Sequence, residues 1–133
     1  MTPEQIEQAI GFRLATMPGA VVVVRDNQDA DPPRPFIAMA HHPVMRTRPA
    51  LAGGGFVVDT GYVALSIVTP WGRLGTLANT LAAAVQARFP KALPITVGAN
   101  RITITDDARI TGQGYRDMAD WRLPMRIDYV VVH

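Results

Sequence analysis

The stretch 61–90 constrains the fold more than any other part of the chain. Tyr62-Val63-Ala64-Leu65-Ser66-Ile67-Val68 is a hydrophobic strand rich in β-branched residues, and it stops at Thr69-Pro70-Trp71-Gly72. Leu74, Leu77, Ala78, Leu81, Val85 and Phe89 then recur at helical spacing, and the helix ends against Pro90. Neither element can bury its apolar side alone, so strand and helix must share a core. At 133 residues the chain reads as one domain, 1–133, long enough to bury about two-thirds of the surface its unfolded form would expose.

The flanking segments complete an α+β pattern. Thr2 can cap a first helix, Pro3 suits its first turn, and Gln5 completes a capping box. Ile6, Ile10, Leu14 and Met17 fall on one stripe of that helix, which ends at Pro18-Gly19. Phe12 lies off the stripe, either tucked against a neighbouring loop or facing another subunit. Strands follow at 20–25 and at 36–41, the second apolar on both faces and therefore central in a sheet. Residues 43–55 read as a long loop carrying Arg46, Arg48 and three consecutive glycines.

Beyond the central unit, 93–105 reads as a hairpin turning at Gly98-Ala99-Asn100, and 106–120 as a long polar loop. In the last strand Trp121, Leu123, Met125, Ile127, Tyr129 and Val131 share one face, while Arg122, Pro124, Arg126 and Asp128 share the other. Pro124 points to an edge strand or a bulge. The expected order is α-β-β-β-α-β-β-β: a single small domain with a mixed or antiparallel β-sheet packed by two helices.

Composition removes several function classes. There is no cysteine, hence no disulfide and no thiolate metal site. The start Met1-Thr2-Pro3-Glu4-Gln5 is unlike a secretory signal, and no apolar run reaches the roughly 18 residues of a membrane span, so a soluble, intracellular chain is expected. Net charge is +2 and Lys91 is the single lysine. The scattered arginines suit protein contacts and form no dense stripe of the kind that binds nucleic acid.

Catalytic motifs are thin. Phe56-Val57-Val58-Asp59-Thr60-Gly61 has the form that begins an aspartic-protease active-site loop, which in so short a chain would work as a homodimer with two Asp59 carboxyls sharing a proton. Tyr62 departs from that pattern, and the alternative is a polar turn or bulge between strand segments. His41 and His42 are adjacent on a strand and point to opposite faces, so they cannot chelate one ion. Asp26, Asp29 and Asp31 lack the glycine and distal glutamate of a calcium loop. Gly53-Gly54-Gly55 and Gly112-Gln113-Gly114 lack the helix and lysine of a phosphate cradle. Ser66 has no nucleophile-elbow context. No cofactor or metal is expected.

Taken in order, Pro35-Phe36-Ile37, the Gly-x-Val-x-Leu-Ser-Ile strand of 61–70, the Ala-Asn-x-Leu-Ala-type helix of 75–82 closing at Arg88-Phe89-Pro90, and the final Trp121-Arg122-Leu123-Pro124-Met125-Arg126-Ile127-Asp128-Tyr129 resemble the tail terminator-like proteins of tailed bacteriophages. The resemblance spans nearly the whole chain. It implies a non-enzymatic virion protein, assembled in the host bacterial cytoplasm, that forms a six-membered ring with itself. Such a ring caps the tail tube protein, halts tube polymerisation and meets neck or head-completion proteins. DNA would only pass through its lumen, and no membrane is involved. Another neck protein of the same class is the sibling reading. The expected contact residues are Arg46, Arg48 and Phe56 in or beside the middle loop, with Arg116 and Asp117 in the last one.

Overall fold

A computed structural model describes residues 1–17, 22–25, 31–48, 57–72 and 76–132. The elements run α1 (Pro3–Ala15), β1 (Val22–Arg25), β2 (Phe36–Thr47), β3 (Val58–Pro70), α2 (Thr76–Arg88), β4 (Pro94–Val97), β5 (Asn100–Ile104), β6 (Arg109–Ile110), β7 (Tyr115–Asp117) and β8 (Asp120–Val132). They form one sheet in the order β1-β2-β3-β8-β5-β4, and the short β6 and β7 also pair with β8. Only β1 and β2 are parallel. The expected α+β order holds, with β6 and β7 added inside the stretch that reads as a loop.

Strict alternation builds the core. Val63, Leu65 and Ile67 of β3 face the same side as Leu123, Met125, Ile127, Tyr129 and Val131 of β8, and all are buried. Ile6, Ile10, Leu14 and Met17 of the first helix and its end, with Ala78, Leu81, Val85 and Phe89 of the second, cover that face. The capping box forms as expected: Gln5 N donates to Thr2 Oγ1 at 3.2 Å and Thr2 N to Gln5 Oε1 at 2.9 Å. Among the described residues the opposite sheet face carries only a small buried cluster of Val24, Phe36 and Val68. Phe12 is not tucked against a loop; it stands 71% exposed. Leu74, Pro18 and Gly19 lie outside the described residues.

Three sequence expectations are corrected. First, β2 does not end at His41. It runs to Thr47 because pairing with β3 continues past a bulge between Pro43 and Met45, where a proline need not donate to the ladder. Second, Asp59-Thr60-Gly61 is neither a turn nor a bulge but part of β3, paired on both sides (Gly61 with Pro43 and Tyr129). A Cβ at Gly61 would lie 2.5 Å from the Tyr129 hydroxyl and 2.8 Å from the His42 carbonyl oxygen, so this glycine marks a close approach. Third, β8 is no edge strand: it lies between β3 and the series β5, β6 and β7. The Pro124 carbonyl accepts from Thr111 N at 3.1 Å, and a residue's N and O leave a strand on the same side. The missing N–H therefore faces the gap between β6 and β7.

The two helices are joined at their C-terminal ends by a reciprocal arrangement. Arg13 Nε donates to the Arg88 carbonyl at 3.0 Å, and Arg88 Nε donates to the Arg13 carbonyl at 3.2 Å. Each helix thereby satisfies a final-turn carbonyl of the other and places a cation at its negative end. Burial, followed by the charge of Arg88, lowers the Arg13 pKa.

Two measurements test this packing. Gly61→Ala should destabilise the fold by about 1–3 kcal/mol in urea unfolding; an unchanged midpoint would mean that the strands can separate freely at Tyr129. Arg13→Ala and Arg88→Ala should each cost about 1 kcal/mol, with a double variant clearly less than additive. Full additivity would show that the two carbonyl contacts act independently.

Candidate functional site

The candidate contact residues fall at two ends of the sheet. At the first end, register after the bulge sets Arg46 opposite Asp59, and Asp59 opposite Val131. Arg46 forks onto Asp59, Nε to Oδ1 at 2.7 Å and Nη2 to Oδ2 at 3.0 Å. The hydrogen bond to Asp59 raises the Arg46 pKa. Arg48 follows β2 and is exposed, and Phe56 lies outside the described residues.

Beside this fork is an open depression of about 250 Å³ whose lining includes Pro3, Ile6, Pro43, Met45, Thr60 and Tyr129. Val44 and Met45 are 62% and 56% exposed at its mouth. A neighbouring hollow is lined by Glu4, Glu7 and His42. Under the depression, His41 Nε2 and Tyr129 Oη share a hydrogen bond of 2.5 Å. Burial, and then the Asp59 charge, push the Tyr129 phenol up to about 12. Burial lowers the His41 pKa against the raising effect of Glu7, with His42 lowering it further. His42 instead stacks on Tyr62 from the other face at a centroid distance of 4.8 Å. The two histidines therefore diverge as their adjacency demands.

At the second end, β7 and β8 are joined by a two-residue turn, Met118-Ala119, with Asp117 paired to Asp120. Trp71 N donates to the Ala119 carbonyl at 2.9 Å and holds the turn against the end of β3. Arg116 lies over the Trp71 ring at 4.8 Å and donates from Nε to the Met118 carbonyl at 2.9 Å. Trp71 in turn contacts Trp121, with centroids 5.7 Å apart. Asp117 accepts from Arg122 Nε at 2.8 Å. Met118 is 86% exposed, the most exposed large apolar side chain among the described residues.

The structure thus brings Arg46 and Arg48 together, and Arg116 and Asp117 together, but holds the two groups apart. Their register partners, positions 131 and 121 of β8, are roughly 33 Å apart at about 3.3 Å per residue. Met118 and Trp71 escape sequence reasoning because a methionine is not a residue that marks a tight turn. Only the spacing of Tyr115 and Trp121 about a polar centre hints at the hairpin.

Between the ends, the open face is ion-paired. Arg34 pairs with Asp31 and, at 2.9 Å, with Asp120; Arg126 and Arg109 share Asp128; Arg122 holds Asp117. Four arginines are offset by four aspartates. Burial opposes ionisation of Asp128, but hydrogen bonds from Arg126 and Arg109 outweigh it and hold its carboxyl below the ordinary range. The hydrogen bond from Arg34 does the same for Asp120. Among the described residues no group of three or more histidine, cysteine or acidic side chains is placed to hold a metal ion. No helix among them is long and apolar enough to cross a membrane.

The sequence model of the family described as phage tail terminator protein matches residues 5–129, from α1 to Tyr129 of β8. The chain belongs to the phage tail terminator family. This is a structural family of phage tail components. The terminator fold is also seen among solved structures: one whose name carries no functional description matches with a TM-score of 0.77 at 23% identity, over 98% of this chain and 96% of its own. At that identity the likeness concerns fold alone. Among curated proteins, none matches.

The half-buried His41 yields a pH prediction for this chain. Its folded pKa lies below the ordinary 6.5, so between the two values the unfolded chain binds more protons than the folded one. The contribution of His41 to stability is therefore complete above about 6.5 and is lost as pH falls toward and through the lowered folded value. Urea unfolding from pH 7.5 to 5 should show this loss, and His41→Gln should remove that part of the slope. Identical slopes in the two proteins would refute it.

Proposed function

We propose that this chain caps the tail tube as a six-membered ring, stops tube polymerisation and offers the surface on which the head is joined. The observation that supports it best is the match of the terminator family model over residues 5–129, which takes in both helices and nearly the whole sheet. A ring set between tube and head needs subunits of fixed shape, and a sheet spanned by 13-residue strands supplies that rigidity. Tail tube subunits are the partner on one side of the ring and neck or head-completion proteins on the other. The ring is part of the virion and is assembled in the host bacterial cytoplasm. DNA crosses its lumen without being held, a role that suits a face whose arginines are offset by aspartates.

A protease built on Asp59 has little to support it. Both carboxylate oxygens accept from Arg46, whereas a dyad sharing one proton needs them turned toward a second carboxyl. The Asp-Thr-Gly triplet also lies inside a paired strand rather than in a loop.

Negative-stain microscopy of particles made without this gene should show overlong tails that fail to join heads, and Asp59→Asn should give tails of normal length. Tails of normal length in the deletion, still unjoined, would move the role to another neck component. Peptide cleavage at acidic pH that Asp59→Asn abolishes would establish the protease instead.

A further inference from the structure

We propose that the β7–β8 turn of one copy seats in the depression at the far end of the sheet of a neighbouring copy, linking copies head to tail. The inference rests on the reading that copies of this chain assemble with one another, and it names the surfaces that meet.

The first observation is Met118. Its φ of +56° lies in the left-handed region, which disfavours a residue with a side chain. Its side chain gains no burial in its own subunit in return, being 86% exposed. A two-residue hairpin turn requires φ > 0 at its first position, where glycine is usual; it does not require a large exposed apolar side chain there, and a contact outside the subunit accounts for that choice. The turn is also stiffly supported, by the Trp71 hydrogen bond to Ala119 and by Arg116 stacked over Trp71. Methionine, tryptophan and arginine are the residue types enriched at protein contacts.

The second observation identifies the occupant as another copy. The depression at the opposite end is open, with a volume of about 250 Å³; Pro3, Ile6, Pro43, Val44 and Met45 give it apolar walls, and Arg46 and Asp59, which also line it, are paired with each other. Glu4 and Glu7 line the adjoining hollow, and neither forms an ion pair among the described residues. Arg116, beside the turn, likewise pairs with no carboxylate among them; its partners are the Met118 carbonyl and the Trp71 ring. An apolar knob with an unpaired cation thus matches an apolar hollow with unpaired anions. The length of β8 separates them, so they cannot meet within one chain. A contact between two different patches is heterologous, and it closes into a ring when the rotation per copy divides a full turn.

The chain has no cysteine, so paired substitutions can trap the contact. Met118→Cys combined with Met45→Cys should give a ladder of disulfide-linked oligomers on mild oxidation, which requires Cα atoms within about 7 Å across the contact. Either substitution alone can give only dimers. In sedimentation velocity, Arg116→Glu alone, and Glu4→Lys with Glu7→Lys alone, should each weaken self-association about tenfold or more. An equal mixture of these two proteins should recover it, because alternating copies restore opposite charges at every contact. Circular dichroism confirms that each variant is folded.

Closed wild-type rings, with no ladder and no recovery in the mixture, would overturn this contact and leave the ring standing. A ladder formed on open fibres would keep the contact and overturn the closed ring. Loss of tube binding with self-association unchanged would assign the turn to the tube protein and overturn the contact. Absence of any association or ladder would overturn both.

Discussion

The pairing of β3 with β8 is the constraint on which the rest of this structure depends. It runs unbroken from Val58 opposite Val132 to Pro70 opposite Asp120. Every side chain on both strands is thereby assigned to one of two faces. A slip of β3 by one residue would send Val63, Leu65 and Ile67 to the open side and bring Tyr62, Ala64 and Ser66 inward. Gly61 helps fix the alignment, because only a glycine lets β3 lie against Tyr129 at this register.

The charge of the chain is best understood through its pairs. A calculated pI of about 9.5 suggests a basic protein, yet many of its arginines are committed to specific partners, aspartates or backbone carbonyls. Arg13 and Arg88 cap helix ends, Arg46 forks onto Asp59, and on the open face arginines pair with aspartates. The exposed pairs each add little stability, since surface ion pairs contribute about 0–1 kcal/mol. Their effect is on orientation: they fix side chains that would otherwise be long and free on a face no helix covers.

Local patterns were legible in the sequence, and long-range ones were not. The capping box of α1, its buried stripe and the alternation of β8 follow from spacing within a few residues, and all three appear as expected. The extension of β2 through Pro43 and the strand character of Asp59-Thr60-Gly61 do not follow from local composition, which favours a break. Pairing with neighbours across the sheet overrides it. The Arg13–Arg88 exchange joins residues 75 apart in sequence, so no window could reveal it. Of the candidate site, the arginine-bearing segments were legible as exposed polar regions. Their separation to opposite ends needed the register, and Met118 needed its backbone angle.

Among the described residues β2 runs on past β1 from Ala40 to Thr47 with no strand on its outer side, and the outermost strands in the sheet order, β1 and β4, are each only four residues long. Pro94 opens one of them, and α1 runs beside both: it shares a hollow with Ile95 and Val97 on one flank and another with Val23 and Arg25 on the other. Short edges, a proline and a helix close at hand are the means by which sheets resist adding strands from other molecules. Strand addition at β1 or β4 is therefore disfavoured, and the uncovered stretch of β2 is broken by Pro43 and its bulge. A member of a family named for ending a phage tail thus offers, among its described residues, no long unbroken strand edge on which growth by strand addition could start.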